Sequence, residues 1–181
     1  SRFQQLTSPA AAKAAEDTAG YRLGVLLSWY EVGAGHHFSA PADNFHQRCL
    51  ERQHAFPRSL LTTSTHDSKR GEDTRARLSV ISERARWFGN RVTQWRKLAA
   101  EMNAAADVRV TLSPADELIL YQTLIGTWPL GLKIDDQPGI KRYMQRLLDW
   151  QQKALREAKL QSSWQSINDS YEQMAHNFLI R

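Results

Sequence analysis

Apolar residues recur at helical spacing along the second half of the chain. The longest stripe runs at intervals of three and four residues and predicts an amphipathic helix that buries one face. Its members are Ile140, Tyr143, Met144, Leu147, Leu148, Gln151, Ala154, Leu155 and Ala158. Residues 118–125 are apolar on nearly every side, which is typical of a helix buried against more than one neighbour. The pattern therefore predicts a mainly α fold.

Capping residues indicate where several helices begin. Ser113 stands before a proline and two acidic residues, a combination that favours a helix N-terminus. Asn168 or Asp169 is expected to cap a last helix. Near the start of the chain, Ser8 followed by Pro9 predicts another helix start.

One short strand is expected in the middle of the chain. Asp43 is expected to cap a helix over residues 44–55. Residues 60–64 are short, apolar and partly β-branched, and they predict a buried strand that ends in a functional loop. This strand is expected either to pair with residues 3–6 or to stay unpaired. Helical spacing resumes over residues 72–86 and continues beyond them.

Composition and charge argue against several classes of protein. The net charge of the 181 residues is +5, but basic residues alternate with acidic ones, as in residues 69–73, which indicates solvated helix faces and no nucleic-acid partner. No apolar run approaches the roughly 20 residues that cross a membrane. The single cysteine, Cys49, favours a reducing, cytoplasmic location. The chain has no glycine-rich phosphate loop, and His36 and His37 are adjacent instead of four residues apart, so neither a cofactor nor a metal is expected.

The candidate for chemistry is the Ser-Thr-His-Asp step at residues 64–67, where the predicted strand gives way to a polar loop. A carboxylate just beyond the C-terminal end of a strand is where barrel enzymes place catalytic groups. The same position also suits the N-cap of a following helix. The pattern alone leaves both roles open for Asp67.

The segment from residue 56 to residue 78 resembles the maltooligosyltrehalose synthases, a family of the α-amylase superfamily. Its most specific part is the string His-Asp-Ser-Lys-Arg-Gly-Glu-Asp at residues 66–73. Shorter blocks agree in the same order over essentially the whole chain, at residues 2–5, 12–18, 31–33, 120–126, 153–159, 163–164, 168 and 171–172. The family's usual Lys-Gly-Val-Glu-Asp-Thr-Ala-Phe-Tyr and Asn-Glu-Val-Gly patterns differ here at Ala14, Ala15, Gly20 and Tyr30.

The resemblance implies an intramolecular glucosyl transfer on a maltooligosaccharide, in which the reducing-end α-1,4 bond becomes the α,α-1,1 bond of trehalose. The superfamily uses a retaining mechanism with an aspartate nucleophile, a glutamate acid/base and a third carboxylate. By resemblance, Asp67 is the third carboxylate, and His66 binds a hydroxyl of the same sugar. The other substrate-binding residues that the resemblance implies are Lys13, Glu16, Asp17, Glu31, Lys69 and Arg70.

The resemblance also implies an incomplete site. The segments that carry the nucleophile and the acid/base have no match here, so the isolated chain is expected to be inactive and to work with the remainder of a parent chain. Residues 1–67 are expected to form a partial barrel segment with a strand-end catalytic loop, and residues 68–181 a helical subdomain. The expected fold is thus mainly α, with one or two short strands left over from a (β/α)8 barrel.

Two other functions stay open. One is a non-catalytic carbohydrate-binding or helical interaction module, in which case the parent gene would lack the two missing carboxylates. The other is a basic helical nucleic-acid binder, which would bind DNA with a steep dependence on salt concentration.

Overall fold

A computed structural model of the protein describes residues 1–32, 38–105 and 111–181. Within these ranges the chain forms helices joined by turns and loops, and it contains no β-strand. In chain order the elements are α1 Arg2–Ala11, a π-helical segment Ala12–Ala19, α2 Gly20–Arg22, α3 Ala42–Ala55, α4 Glu72–Glu83, α5 Ala85–Ala105, α6 Pro114–Thr127, α7 Gln137–Ala158 and α8 Asp169–Ile180. The prediction of a mainly α fold is therefore confirmed.

Helix α6 lies at the centre of the fold. Its Leu120 belongs to a hydrophobic cluster shared with α7 and α8, and its Ile119 belongs to a second cluster shared with α4 and α5. The helix begins as predicted, because the Ser113 hydroxyl accepts the backbone N–H of Asp116 at 3.2 Å. An apolar helix buried on several sides is what residues 118–125 indicated.

Gln122 is a polar side chain within this apolar helix, and it is fully buried. Its Nε2 donates to the carbonyl of Gly24 at 2.6 Å, and its Oε1 accepts the N–H of Leu27 at 2.9 Å. Both backbone groups belong to the non-helical stretch after α2, so the amide supplies the partners that this stretch lacks. A Cβ on Gly24 would lie 3.2 Å from the side chain of Ile119, which shows how closely the stretch approaches α6.

The long apolar stripe forms one buried face of α7, as predicted. Tyr143 and Leu147 on this face share a cluster with Tyr171 and Ala175 of α8. Asn168 caps α8 by accepting the N–H of Tyr171 at 3.0 Å, which confirms the predicted helix start.

The predicted helix start at Ser8 is wrong. Helix α1 begins at Arg2, and Pro9 lies inside it. Proline donates no backbone N–H, so it breaks the regular helical ladder, and the helix continues as the wider π-helical segment Ala12–Ala19. The helix predicted over residues 44–55 is present, but it begins at Ala42, so Asp43 lies in its first turn and is not its cap.

The predicted strand at residues 60–64 is also absent. These residues follow an irregular path, and the side chain of Leu60 is 99% exposed where a buried strand was expected. A strand is held by hydrogen bonds to a neighbour, and the residues 3–6 suggested as its partner are helical. Within the described residues no other extended segment lies beside it, so the β-branched composition alone does not produce a strand.

Residues on both sides of the predicted division at residue 67 contribute to one cluster. Leu26 and Leu27 pack with Leu78 of α4 and Phe88 of α5. Helix α3, by contrast, buries none of its residues. The division at residue 67 stays a prediction.

A buried ion pair joins the last two helices. Both carboxylate oxygens of Glu172 accept from Arg156, at 2.8 and 2.7 Å, and the hydroxyl of Ser162 donates to the same carboxylate. The side chains of Glu172 and Arg156 are only 5% and 14% exposed. The hydrogen bonds from Arg156, with that from Ser162, lower the pKa of Glu172 to about 2.

We expect Glu172→Gln to lower the free energy of unfolding at pH 7 by about 1–3 kcal/mol, because the neutral amide loses the charge-assisted hydrogen bonds from Arg156 and Ser162. Since the pKa of Glu172 is lower in the folded chain than in the unfolded chain, its contribution is full above about pH 5 and is lost as the pH falls from 4.5 towards 2. Urea unfolding at several pH values tests this, with Glu101→Gln, from an exposed pair with Lys97, as the control. An unchanged stability at pH 7 would contradict the prediction.

Gly126 of α6 packs closely against side chains of α4. A Cβ at this position would lie 2.8 Å from Cγ2 of Thr74 and 3.1 Å from Cγ of Leu78. Both contacts are with packed side chains near their branch points, so they can yield only if the helices move apart. Gly89 in α5 has nothing within 4 Å of the same position.

We therefore expect opposite effects from one substitution at these two glycines. Gly126→Ala should lower the free energy of unfolding by about 1–3 kcal/mol through overpacking. Gly89→Ala should raise it by about 0.5–1 kcal/mol, because alanine favours a helix interior more than glycine does. Thermal or urea unfolding measures both, and equal effects at the two sites would contradict the close approach.

Candidate functional site

The predicted catalytic residues lie on an exposed turn. The N–H of Ser68 donates to the carbonyl of Thr65 at 3.1 Å, and the N–H of Asp67 donates to the hydroxyl of Thr65 at 3.2 Å, so the turn is closed by its own residues. The side chains of His66 and Asp67 are 91% and 66% exposed. His66 Nε2 lies 3.4 Å from Asp67 Oδ2, so imidazole and carboxylate project from the turn side by side.

Asp67 does not cap the helix that follows. Helix α4 begins only at Glu72, and its N-cap is Gly71. Of the two roles that the pattern left open for Asp67, the structure therefore removes the structural one.

Directly after the turn, Lys69 points inward. Its side chain is 11% exposed, and its Nζ donates to Asp17 Oδ1 at 2.6 Å. Lys13, one helical turn before Asp17, donates to the other carboxylate oxygen. Both lysines thus neutralise the carboxylate of Asp17. The bond between Lys69 and Asp17 also joins the turn to the π-helical segment.

The titration of these groups follows from their contacts. Hydrogen bonds from Lys13 and then Lys69 lower the pKa of Asp17, which stays ionised well below neutral pH. Burial acts to lower the pKa of Lys69, but the hydrogen bond and charge of Asp17 outweigh it, so the pKa is raised. The cluster is therefore a fixed ion network over the whole range near neutral pH.

Glu31 lies on the other side of the same turn. Its Oε1 accepts the N–H of Val32 at 2.8 Å and that of Lys69 at 3.0 Å. Its Oε2 accepts the N–H of Arg70 at 3.3 Å and lies 3.6 Å from the guanidinium of Arg75. The predicted substrate residue Glu31 is thus occupied with backbone groups of the turn.

Arg70 is a half-buried cation beside this network. Burial lowers the pKa of its guanidinium, while the neighbouring Tyr21 and Glu31 oppose that effect. In the described ranges its side chain forms no ion pair. A guanidinium of this kind can donate to hydroxyl or carboxylate groups of a ligand.

Glu16 and Tyr30 complete the surroundings. Glu16 is half-buried on the π-helical segment, and its charge contributes to the raised pKa of Tyr30, for which burial is the main cause. A Cβ on Gly20 would lie 2.6 Å from the ring of Tyr30. Gly20 and Tyr30 are therefore in contact.

The structure brings together most of the residues predicted from the sequence. Asp17, Lys13 and Lys69 form one connected group, and Glu31 contacts the backbone of the same turn. Sequence reasoning missed Arg75, although its place in the first turns of α4, just after the turn that carries Asp67, was a usable signal. It also missed Tyr21, whose ring lies 6.0 Å from Lys69 Nζ.

Other kinds of site find less support. No group of three or more metal-ligating side chains occurs in residues 1–32, 38–105 and 111–181, and His36 and His37 lie outside them. An apolar groove of about 460 Å³ lies between α5, α6 and α8 and contains none of the predicted residues. None of the described helices is both long enough and apolar enough to span a membrane.

The chain is similar to known proteins along nearly its whole length. It is 36% identical over 183 residues to a protein of Mycobacterium tuberculosis named as a maltooligosyl trehalose synthase, and the match covers 98% of this chain and 21% of that protein. The chain thus spans about a fifth of the length of the curated relatives it matches. No family model matches it.

Solved structures agree with the sequence match. The crystal structure of a hypothetical maltooligosyl trehalose synthase of Sulfolobus tokodaii superposes with a TM-score of 0.83 at 32% identity, covering 98% of this chain and 23% of that one. A glycosyltrehalose synthase superposes with a TM-score of 0.79 at 33% identity, covering 99% of this chain and 22% of that one.

Proposed function

Because the chain belongs to the maltooligosyl trehalose synthase family over the part that it spans, we propose that its parent protein is an intramolecular glucosyl transferase of trehalose formation. The substrate is a maltooligosaccharide. The enzyme breaks the α-1,4 bond to the reducing-end glucose and joins the same two sugars again through an α,α-1,1 bond. No water is consumed, so the reaction is an isomerisation.

In the proposed mechanism this chain supplies the third carboxylate. An aspartate elsewhere in the parent protein attacks the anomeric carbon while a glutamate protonates the leaving oxygen, and the glutamate later takes the proton from the anomeric hydroxyl of the turned glucose. Asp67 binds the sugar in its distorted, oxocarbenium-like form, and His66 donates to a hydroxyl of that sugar.

One observation carries this proposal. The turn with His66 and Asp67 is exposed, although the residues that follow it are held inward by Asp17 and Glu31. An exposed carboxylate on a firmly held turn is suited to meeting a ligand that comes from outside the chain. Arg70 directly follows the turn, Lys13 is linked to it through Asp17, and Glu16 lies on the same π-helical segment as Lys13. All three are proposed to bind further sugar hydroxyls.

We expect Asp67→Asn in the full-length protein to lower kcat by roughly 10²–10³-fold, because the charge that stabilises the transition state is removed. The substitution keeps the side-chain shape on an exposed residue, so the unfolding transition should not move. Asp135→Asn, an exposed aspartate in the loop before α7, is the matched control. Turnover of maltopentaose to its trehalosyl product measures the effect, and an unchanged kcat would favour a non-catalytic carbohydrate-binding module.

We also expect the 181-residue chain on its own to form no trehalosyl product from maltopentaose. A retaining mechanism needs a nucleophile and an acid/base roughly 5 Å apart across the scissile bond, and the family places both outside this stretch. Product analysis by NMR after long incubation tests this, with the full-length protein as the positive control. Product above the level of a heat-treated sample would contradict the prediction.

A further inference from the structure

The turn that carries His66 and Asp67 has little apolar support of its own. Every described residue from Leu50 to Thr63 is exposed, and so are Thr65, His66 and Asp67. Without buried side chains, the position of such a segment depends on polar contacts with the rest of the protein. Two charged residues, Glu31 and Arg75, provide contacts at both ends of the turn.

At the C-terminal end of the turn, the Glu31 carboxylate accepts the backbone N–H groups of Lys69 and Arg70. These N–H groups have no helix or sheet to pair with, because α4 starts only at Glu72. Glu31 itself is held by the N–H of Val32 at 2.8 Å and is only 14% exposed. Charge-assisted bonds of this kind are stronger than those between neutral groups.

At the N-terminal end, Arg75 donates to the carbonyl of Thr63. The same guanidinium lies 3.6 Å from Glu31 Oε2. Arg75 therefore joins the residue that enters the turn to the carboxylate that holds its exit.

The contacts of Glu31 also bear on its predicted role as a sugar ligand. An ionised carboxylate has about four lone-pair directions. Three backbone N–H groups and the Arg75 guanidinium occupy the carboxylate from the protein side. Little acceptor capacity is left for the hydroxyls of a substrate.

We propose that Glu31 and Arg75 are positioning residues that fix the His66–Asp67 turn for the reaction, and that Glu31 does not bind the sugar. The proposal rests on the proposed function for its catalytic consequence. The structural part of the proposal is that Glu31 and Arg75 form a clamp on the turn, and it rests only on the contacts above. The clamp and its catalytic consequence are tested by separate measurements.

The first measurement is amide hydrogen exchange of the full-length protein, followed in peptides that contain Lys69 and Arg70. Glu31→Gln replaces one acceptor oxygen by an N–H₂ donor, so these amides should exchange about 10-fold faster or more. Glu101→Gln, which removes a carboxylate from an exposed pair on α5, is the matched control and should change nothing. Unchanged exchange at both amides in Glu31→Gln would overturn the clamp, whether or not the protein isomerises maltooligosaccharides.

The second measurement is the steady-state kinetics of the same variants. In Glu31→Gln, kcat should fall by about 10²-fold while KM changes little, because a displaced Asp67 loses an interaction that is made only in the transition state. In the control Glu101→Gln, both constants should stay unchanged. A raised KM with unchanged kcat would instead make Glu31 a sugar ligand and overturn the proposal.

Arg75 supplies the independent variant. Arg75→Lys keeps a positive charge near Glu31 but loses the fork that also reaches Thr63, so its kcat should lie between those of the wild type and Arg75→Gln. The double variant Glu31→Gln with Arg75→Gln should fall no further than the more impaired single variant, because the two residues act as one unit. Independent, multiplying effects would show that they do not form one clamp.

Discussion

The buried amide of Gln122 is the interaction on which the geometry of the site depends. It bonds both the carbonyl of Gly24 and the N–H of Leu27, and so it fixes a non-helical stretch against the most buried helix of the fold. An amide that lost these partners inside an apolar helix would be strongly destabilising. Glu31 follows Leu27 by four residues. The stretch that Gln122 anchors in the core therefore leads directly to the carboxylate that holds the turn.

The carboxylates near the turn divide into two kinds. Asp17 and Glu31 are each engaged by several donors of the protein, and they hold the π-helical segment, the turn and the start of α4 together. Asp67 is exposed, and among the described residues its carboxylate lies close to the imidazole of His66. The engaged carboxylates hold the segments around the turn together, and the exposed one projects into the solvent.

Much of the helical fold could be predicted from the sequence, because its signals are local. Ser113 and Asn168 cap helices through hydrogen bonds to N–H groups three residues away, and the stripe on α7 follows from helical spacing alone. Whether residues 60–64 form a strand could not be predicted from such local signals. Strand formation requires a neighbour, and a β-branched composition does not show whether one is present.

Tertiary contacts in the site lay beyond sequence reasoning for a similar reason. Gly20 and Tyr30 are ten positions apart in the sequence, and no local pattern indicates that they touch. In the fold they are in contact, since the absence of a side chain at Gly20 leaves room for the Tyr30 ring.

The state of the carboxylates also limits the chemistry that the described residues can perform. A general acid near neutral pH needs a raised pKa, whereas hydrogen bonds from Lys13 and Lys69 lower that of Asp17. A carboxylate nucleophile needs a free oxygen to attack an anomeric carbon, whereas the oxygens of Glu31 are engaged by three N–H groups and by Arg75. Neither residue can act as a nucleophile or a general acid without breaking the contacts that hold the turn. In the retaining reaction that we propose for the parent protein, the nucleophile and the acid/base therefore come from outside the network formed by Asp17 and Glu31.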